Sequence, residues 1–244
     1  MAAKRLYLHI GTHKTGTTSF RASLRANAKI LEKRGFHAFG QPGKKRGFFR
    51  KRRKRYNLSK LALGFLRPEL ATISRFRSNS LNPKPAAQAR LLAGFLRQLR
   101  AITADRVIVS SEGLTFLRTP EEKAELRKFL DALGREVTII LVLRDEAGWR
   151  ASWNNQLRKL PKVWQGTQAL PEMQRANGEW YFDRQAIIDF WSDLGVLVCV
   201  DYNATLAAEG NVIPAIYRAM EVDPDGLKLN FETNRRVNLD DDDD

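Results

Sequence analysis

The sequence predicts an α/β fold in three layers, a mainly parallel central sheet flanked by helices. Three observations carry this. Strand-like and helix-like segments alternate along the chain. Residues 136–143 (EVTIILVL) are apolar on both faces, as a central parallel strand is. The first strand also passes through a glycine-containing loop straight into a helical pattern.

Residues 5–10 (RLYLHI) form the first short apolar strand. After the loop, Phe20, Leu24, Ala28 and Leu31 share one helical face, and Gly35 fits the position just past that helix. Between about 40 and 82 the periodicity weakens. This stretch holds a basic run, a short helical pattern at 58–66 and breakers at Pro68 and Pro83, and is expected to be an insertion or flexible cover rather than a second domain. Leu91, Leu92, Phe95, Leu96, Leu99 and Ile102 then fall at helical spacing. Residues 106–110 (RVIVS) read as a buried strand ending in Ser111, Glu112 and Gly113. Thr119, Pro120 and Glu122 make a helix start, with a cap, a proline in the first turn and an acid three residues after the cap. The strand at 136–143 leads into a helix over 146–158. Asp183 caps a helix running through Trp191, a strand follows at 196–200, and the last helix covers about 211–220. No internal repeat occurs. The expected organisation is one domain over 1–239 with the insertion at about 40–82, then an acidic tail at 240–244.

Composition narrows the function classes. The 244 residues are 43% hydrophobic with five Trp and thirteen Phe, enough for the core of one domain. No run of 18 apolar residues occurs, so no transmembrane helix is expected. The first residues lead into a strand without the apolar stretch of a signal peptide, and the expected location is the cytoplasm. A single cysteine, Cys199, excludes an internal disulfide and argues against a cysteine-built metal site. Inside the apolar run 196–200 it is expected to be a small buried core residue. The net charge of +15 attracts anions. Nine cationic residues lie in 44–55, with Phe48, Phe49 and Tyr56 close by. This run reads as a solvated loop, as a patch for nucleic acid or an acidic glycan, or as a surface that recruits an anionic acceptor such as a polysaccharide. Asp240 to Asp244 read as a disordered tail that shields the basic surface or as a remnant of cloning.

The chemistry is concentrated in Gly11, Thr12, His13, Lys14, Thr15, Gly16, Thr17, Thr18 and Ser19, between strand and helix. Backbone N–H groups converge at such a helix start, and the helix dipole favours an anion there. The glycines let the backbone approach a phosphate, the hydroxyls of Thr17 and Thr18 add donors, and Lys14 adds a mobile charge. The two-glycine spacing is that of a nucleotide-binding P-loop. In the NTPase version, however, lysine follows the second glycine and a hydroxyl residue follows the lysine to hold magnesium. Here Thr17 follows Gly16, and Lys14 precedes it by two residues. Without further context the stretch is also compatible with an ordinary Gly-Thr turn.

The stretch resembles the 5′-phosphosulfate loop of sulfotransferases that use 3′-phosphoadenosine 5′-phosphosulfate (PAPS), whose hallmark is Lys-x-Gly-Thr-Thr. The wording HIGTHKTGTTS is similar to bacterial members with a P-loop-like fold. A second motif agrees. The strand at 136–143 ends in Arg144, and Ser152 follows eight residues later, resembling the family's 3′-phosphate site. Arginine offers phosphate a bidentate fork, and the serine adds a donor one to two turns on. Taken alone, Arg144 is equally a salt-bridged strand end. Glu112 lies past the end of the preceding strand, where the family places a catalytic His or Glu. The resemblance implies a base there, and a carboxylate capping the next turn is the alternative. His13 is a competing base whose place in the loop points to donor contact. His9 reads as a core residue, and His37 carries no signal. Near the C-terminus the resemblance implies further basic donor contacts, for which Arg235 of Asn234-Arg235-Arg236 is the candidate, against a solvated basic turn. Trp149, Trp153 and Trp180 are expected in core packing rather than in an adenine or acceptor wall.

The implied reaction transfers a sulfuryl group from PAPS to a hydroxyl or amine of an acceptor such as a carbohydrate. Lys14 would stabilise the leaving phosphate and Thr15, Gly16, Thr17 and Thr18 would hold the 5′-phosphate. Arg144 and Ser152 would anchor the 3′-phosphate, Glu112 would take the proton, and no metal is required. Two other classes stay open on the residues alone: a polyanion-binding module built on 44–55, and a P-loop kinase, disfavoured by the place of Lys14.

Overall fold

Five strands hydrogen-bond in the order β2-β3-β1-β4-β5, all parallel. They belong to a computed structural model that describes residues 3–40, 58–70, 72, 74–75, 83–158 and 179–231. Strand β1 (Arg5–Gly11) lies between β3 (Arg106–Ser110) and β4 (Glu136–Leu143), with Leu6 opposite Val107 on one side and Val137 on the other. The edges are β2 (Phe36–Ala38) and β5 (Val196–Asp201). Because strand side chains alternate, Leu6, Leu8 and Ile10 enter one core, while Tyr7 enters the other with Ile108 and Ile140. The central strands are apolar on both faces because helices cover both.

Under one face lie residues of α3 (Ser59–Phe65), α4 (Pro85–Arg100), α5 (Pro120–Leu133), α6 (Glu146–Arg158), α7 (Glu179–Phe182) and α8 (Arg184–Ser192). The opposite face is covered from α1 (Thr17–Ala26), α2 (Ala28–Lys33) and α10 (Ile213–Ala219). After β5 comes α9 (Tyr202–Glu209), which buries none of its residues. The expected caps are present: Thr119 accepts from the Glu122 N–H at 3.2 Å in a full capping box, and Asp183 accepts from the Ala186 N–H at 2.9 Å. The chain leaves β1 for β2, returns at β3 beside β1, then crosses to β4 on its other side. That reversal puts a topological switch point at the C-terminal ends of β1, β3 and β4, the ligand position of open parallel sheets.

Four local readings change. The single helix expected through Phe20 and Leu31 breaks at Asn27. Asn27 is fully buried; its amide donates to the Ser23 carbonyl at 3.0 Å and to the Lys228 carbonyl at 2.8 Å, and its oxygen accepts from the Lys228 N–H at 2.8 Å. It thus serves a chain segment two hundred residues away at the helix's expense. Strand β2, α7 and α9 carried no sequence signal, being three, four and eight residues long and, for α9, without a buried face. Of the expected insertion, Leu58, Leu61, Phe65 and Leu66 are buried in the main core, so residues 58–70 are part of that core and not a cover. Cys199 is exposed rather than buried, because β5 is an edge strand whose faces are only partly covered, with Val196 65% exposed. The remaining burial raises its thiol pKa, which does not make a nucleophile. His9 is in the core as expected, with Nδ1 2.9 Å from the Ser110 hydroxyl, and burial pushes its pKa down to about 3.

Candidate active site

The loop after β1 is held from both sides. The Thr12 N–H donates to the Val142 carbonyl at 3.0 Å, tying the loop to β4, and the Thr15 hydroxyl donates to the Thr12 carbonyl at 2.6 Å. Lys14 (φ 70°) and Gly16 (φ 85°) both take left-handed backbone. Alternate residues in that conformation curl successive N–H groups into a concavity that suits an anion. Gly16 then starts α1 with no side-chain cap, so the first N–H groups of the helix have no capping side chain. The Thr17 hydroxyl is buried without a hydrogen-bond partner. Gly11 is needed for space, since a β-carbon there would lie 2.6 Å from Thr15 Oγ1 and 2.9 Å from Thr17 Oγ1. Overpacking of this kind costs about 1–3 kcal/mol. Gly11→Ala is therefore expected to lower the melting temperature by about 2–4 °C per kcal/mol of this cost, read by thermal unfolding. An unchanged melting temperature would mean that the loop has room for the β-carbon.

Arg144 and Ser152 are brought together. Arg144 follows β4, Ser152 lies on the second turn of α6, and Nη1 donates to the serine hydroxyl at 2.9 Å. The same nitrogen reaches the Lys14 carbonyl at 3.4 Å, linking this pair to the loop. The guanidinium lies over the Tyr202 ring at 5.1 Å. Arg144 Nε is buried without a hydrogen bond; the nearest carboxylate oxygen, of Asp145, is 3.9 Å away. Asp145 is itself committed to the start of α6, accepting from the Gly148 N–H at 2.6 Å, and that bond holds its pKa below the usual carboxylate range.

On the other side of β1, the Ser111 N–H donates to the His9 carbonyl at 2.9 Å and sets Glu112 at the start of a 3₁₀ turn, Glu112–Phe116. The Glu112 carboxylate is half-buried and makes no hydrogen bond or ion pair among the described residues. His13 packs between Phe116 (4.8 Å between ring centres) and Trp153 (4.9 Å), and its Nδ1 is hydrogen-bonded to the Tyr181 hydroxyl. Burial lowers the His13 pKa, with Glu112 opposing and Lys14 reinforcing, so the imidazole is neutral at pH 7. Burial and then Glu112 push Tyr181 well above the ordinary phenol value, and it stays protonated. Trp149 and Trp153 are fully buried, as expected of core packing, although Trp153 also backs His13; Trp180 is half-buried.

Tyr181, Phe116 and Arg21 were not singled out by sequence reasoning. The two aromatic residues had no spacing to distinguish them from core. Arg21 had a readable signal: it lies four residues after Thr17, on the same face of α1. Arg235, the basic run 44–55 and Asp240 to Asp244 lie outside the described residues. Among the described residues no group of three or more His, Cys, Asp or Glu gathers as a metal site, and no helix is long and apolar enough to cross a membrane.

No family model matches the chain, and no curated protein matches its sequence. By structure it is similar to the crystal structure of a sulfotransferase from Alicyclobacillus acidocaldarius, with a TM-score of 0.52 and 12% identity over 97% of this chain and 88% of that one. At that identity the likeness shows a shared fold.

Proposed function

We propose that this protein is a sulfotransferase that moves a sulfuryl group from PAPS to a hydroxyl or amine of an acceptor. The observation that carries this reading is the pairing of two anion sites. The loop at Lys14 and the Arg144–Ser152 pair are joined through the Lys14 carbonyl, and a nucleotide with phosphates at both 5′ and 3′ positions needs both. The residues fit such a donor. A buried hydroxyl at Thr17 and a buried N–H at Arg144 lack partners, the start of α1 lacks a side-chain cap, and Gly11 leaves room against Thr15 and Thr17. The shared fold with a protein described as a sulfotransferase supports it.

In this reading PAPS supplies the sulfuryl group together with a phosphate leaving group. The backbone of Gly11, His13, Thr15 and Gly16, with the hydroxyls of Thr17 and Thr18, holds the 5′ end. Arg144 and Ser152 hold the 3′-phosphate, and Arg235 adds a basic contact. Lys14 meets the negative charge that develops on the departing oxygen, and with Arg144 it supplies the neutralisation that magnesium provides in kinases. Glu112 takes the acceptor proton as the new O–S bond forms. The His13 side chain, neutral and held by Tyr181, walls the acceptor side.

Transfer from ³⁵S-labelled PAPS onto a panel of carbohydrate, lipid and phenolic acceptors tests the reaction. Glu112→Gln is expected to lower turnover by about 10²–10⁴-fold, the usual worth of a positioned base, with affinity for adenosine 3′,5′-bisphosphate unchanged. Turnover at the wild-type rate would remove Glu112 from the reaction.

A further inference from the structure

We infer that Arg21, with Arg25 one turn further along α1, forms an anion subsite on the acceptor side of the site, so that the acceptor carries a carboxylate or sulfate group beside the hydroxyl that reacts. The word acceptor rests on the sulfotransferase reading; the subsite itself rests on four observations.

Thr17, Arg21 and Arg25 are spaced four apart on α1 and share one face, so a cationic stripe begins at the phosphate loop and runs away from it. Arg21 is half-buried, yet its guanidinium makes no hydrogen bond and no ion pair among the described residues. Arg67, Arg75 and Arg144 are by contrast tied down, to Glu122, to four backbone carbonyls and to Ser152, and of the half-buried arginines among the described residues Arg184 shares with Arg21 the lack of such a bond. A partly desolvated cation beside a second cation is unfavourable unless an anion joins it. Burial lowers the Arg21 pKa, Arg25 lowers it further, and Glu112 alone opposes.

The location favours the acceptor over the donor. The 3′-phosphate pair lies past β4, Glu112 lies past β3, and β1 separates them. The charged or titratable groups that feel Arg21 are Arg25, Glu112 and His9, none of them from β4 or α6. Glu112, past β3, and Arg21, on α1, thus lie near enough to interact electrostatically without forming an ion pair. A base and a cation so placed suit an acceptor whose hydroxyl meets Glu112 while a neighbouring anionic group meets Arg21. The Arg21 fork accepts either a carboxylate or a sulfate in bidentate fashion.

Arginine Nε–Hε NMR spectra of the full chain, with the donor site saturated by adenosine 3′,5′-bisphosphate, test this directly. The Arg21 resonance is identified by its loss in Arg21→Gln and in Arg21→Lys. Titration with methyl sulfate and with acetate is expected to move it saturably at millimolar concentration, whereas neutral dimethyl sulfone leaves it in place, and Arg25→Gln weakens the response. An Arg21 resonance that moves with neither anion overturns the subsite. So does one that moves on adding the nucleotide and then ignores the anions, since Arg21 would then be a donor contact. Should the nucleotide fail to bind, the donor reading falls, and the same anion titration without nucleotide still decides the subsite.

Discussion

Lys14→Ala is expected to lower sulfuryl transfer by at least about 10²–10³-fold, the loss seen when one preorganised stabiliser of developing charge is removed, or about 3–4 kcal/mol of barrier. The loss falls on kcat rather than on donor affinity, because the charge on the departing oxygen grows only as the bond to sulfur breaks. The fold should survive. Lys14 contributes its carbonyl to Arg144 and a left-handed backbone angle to the loop, and alanine retains the carbonyl. Single-turnover rates with labelled PAPS, together with thermal unfolding, read the two effects separately. A variant with a near-normal rate and a normal melting temperature would remove the lysine from the mechanism.

Arg144→Ala is expected to abolish discrimination between adenosine 3′,5′-bisphosphate and adenosine 5′-monophosphate. Hydrogen bonds to a charged phosphate contribute about 1.5–3 kcal/mol, so the wild type should prefer the bisphosphate by roughly 10- to 100-fold and the variant should bind both alike. Because Arg144 also touches the Lys14 carbonyl, its removal could instead loosen the loop. Two results separate these. A structural role weakens both nucleotides equally, whereas the clamp role weakens only the bisphosphate. Ser152→Ala, which deletes one hydroxyl and leaves the arginine, should reproduce the selective loss at smaller size.

The central sheet was legible because its strands are apolar on both faces, a pattern that few other contexts produce. The form of the loop after β1 was legible because glycine at 11 and 16 is a steric requirement: one has no room for a β-carbon and the other takes positive φ. The Arg144–Ser152 pair was legible as a spacing, and the structure adds the contact that the spacing only permits. What escaped depended on tertiary partners. Asn27 breaks a helix that local periodicity continues, in order to bind Lys228 from the far end of the chain. Cys199 looked like core because its neighbours are apolar, but whether a strand lies at an edge is decided by the sheet and not by the strand. The packing of the His13 ring against Phe116 and Trp153 was not legible, since neither residue has a sequence link to it. Arg21 carries a sequence signal in its four-residue offset from Thr17 on α1, but its lack of a partner among the described residues is visible only in the fold.

Calorimetric titration of the wild-type protein with adenosine 3′,5′-bisphosphate, set against ATP with magnesium, tests the central claim most directly. The two-phosphate site proposed for the Lys14 loop and Arg144–Ser152 predicts that the bisphosphate binds tightly without a divalent cation and displaces ATP. Tighter binding of ATP that depends on magnesium, with the 3′-phosphate adding nothing, would contradict it.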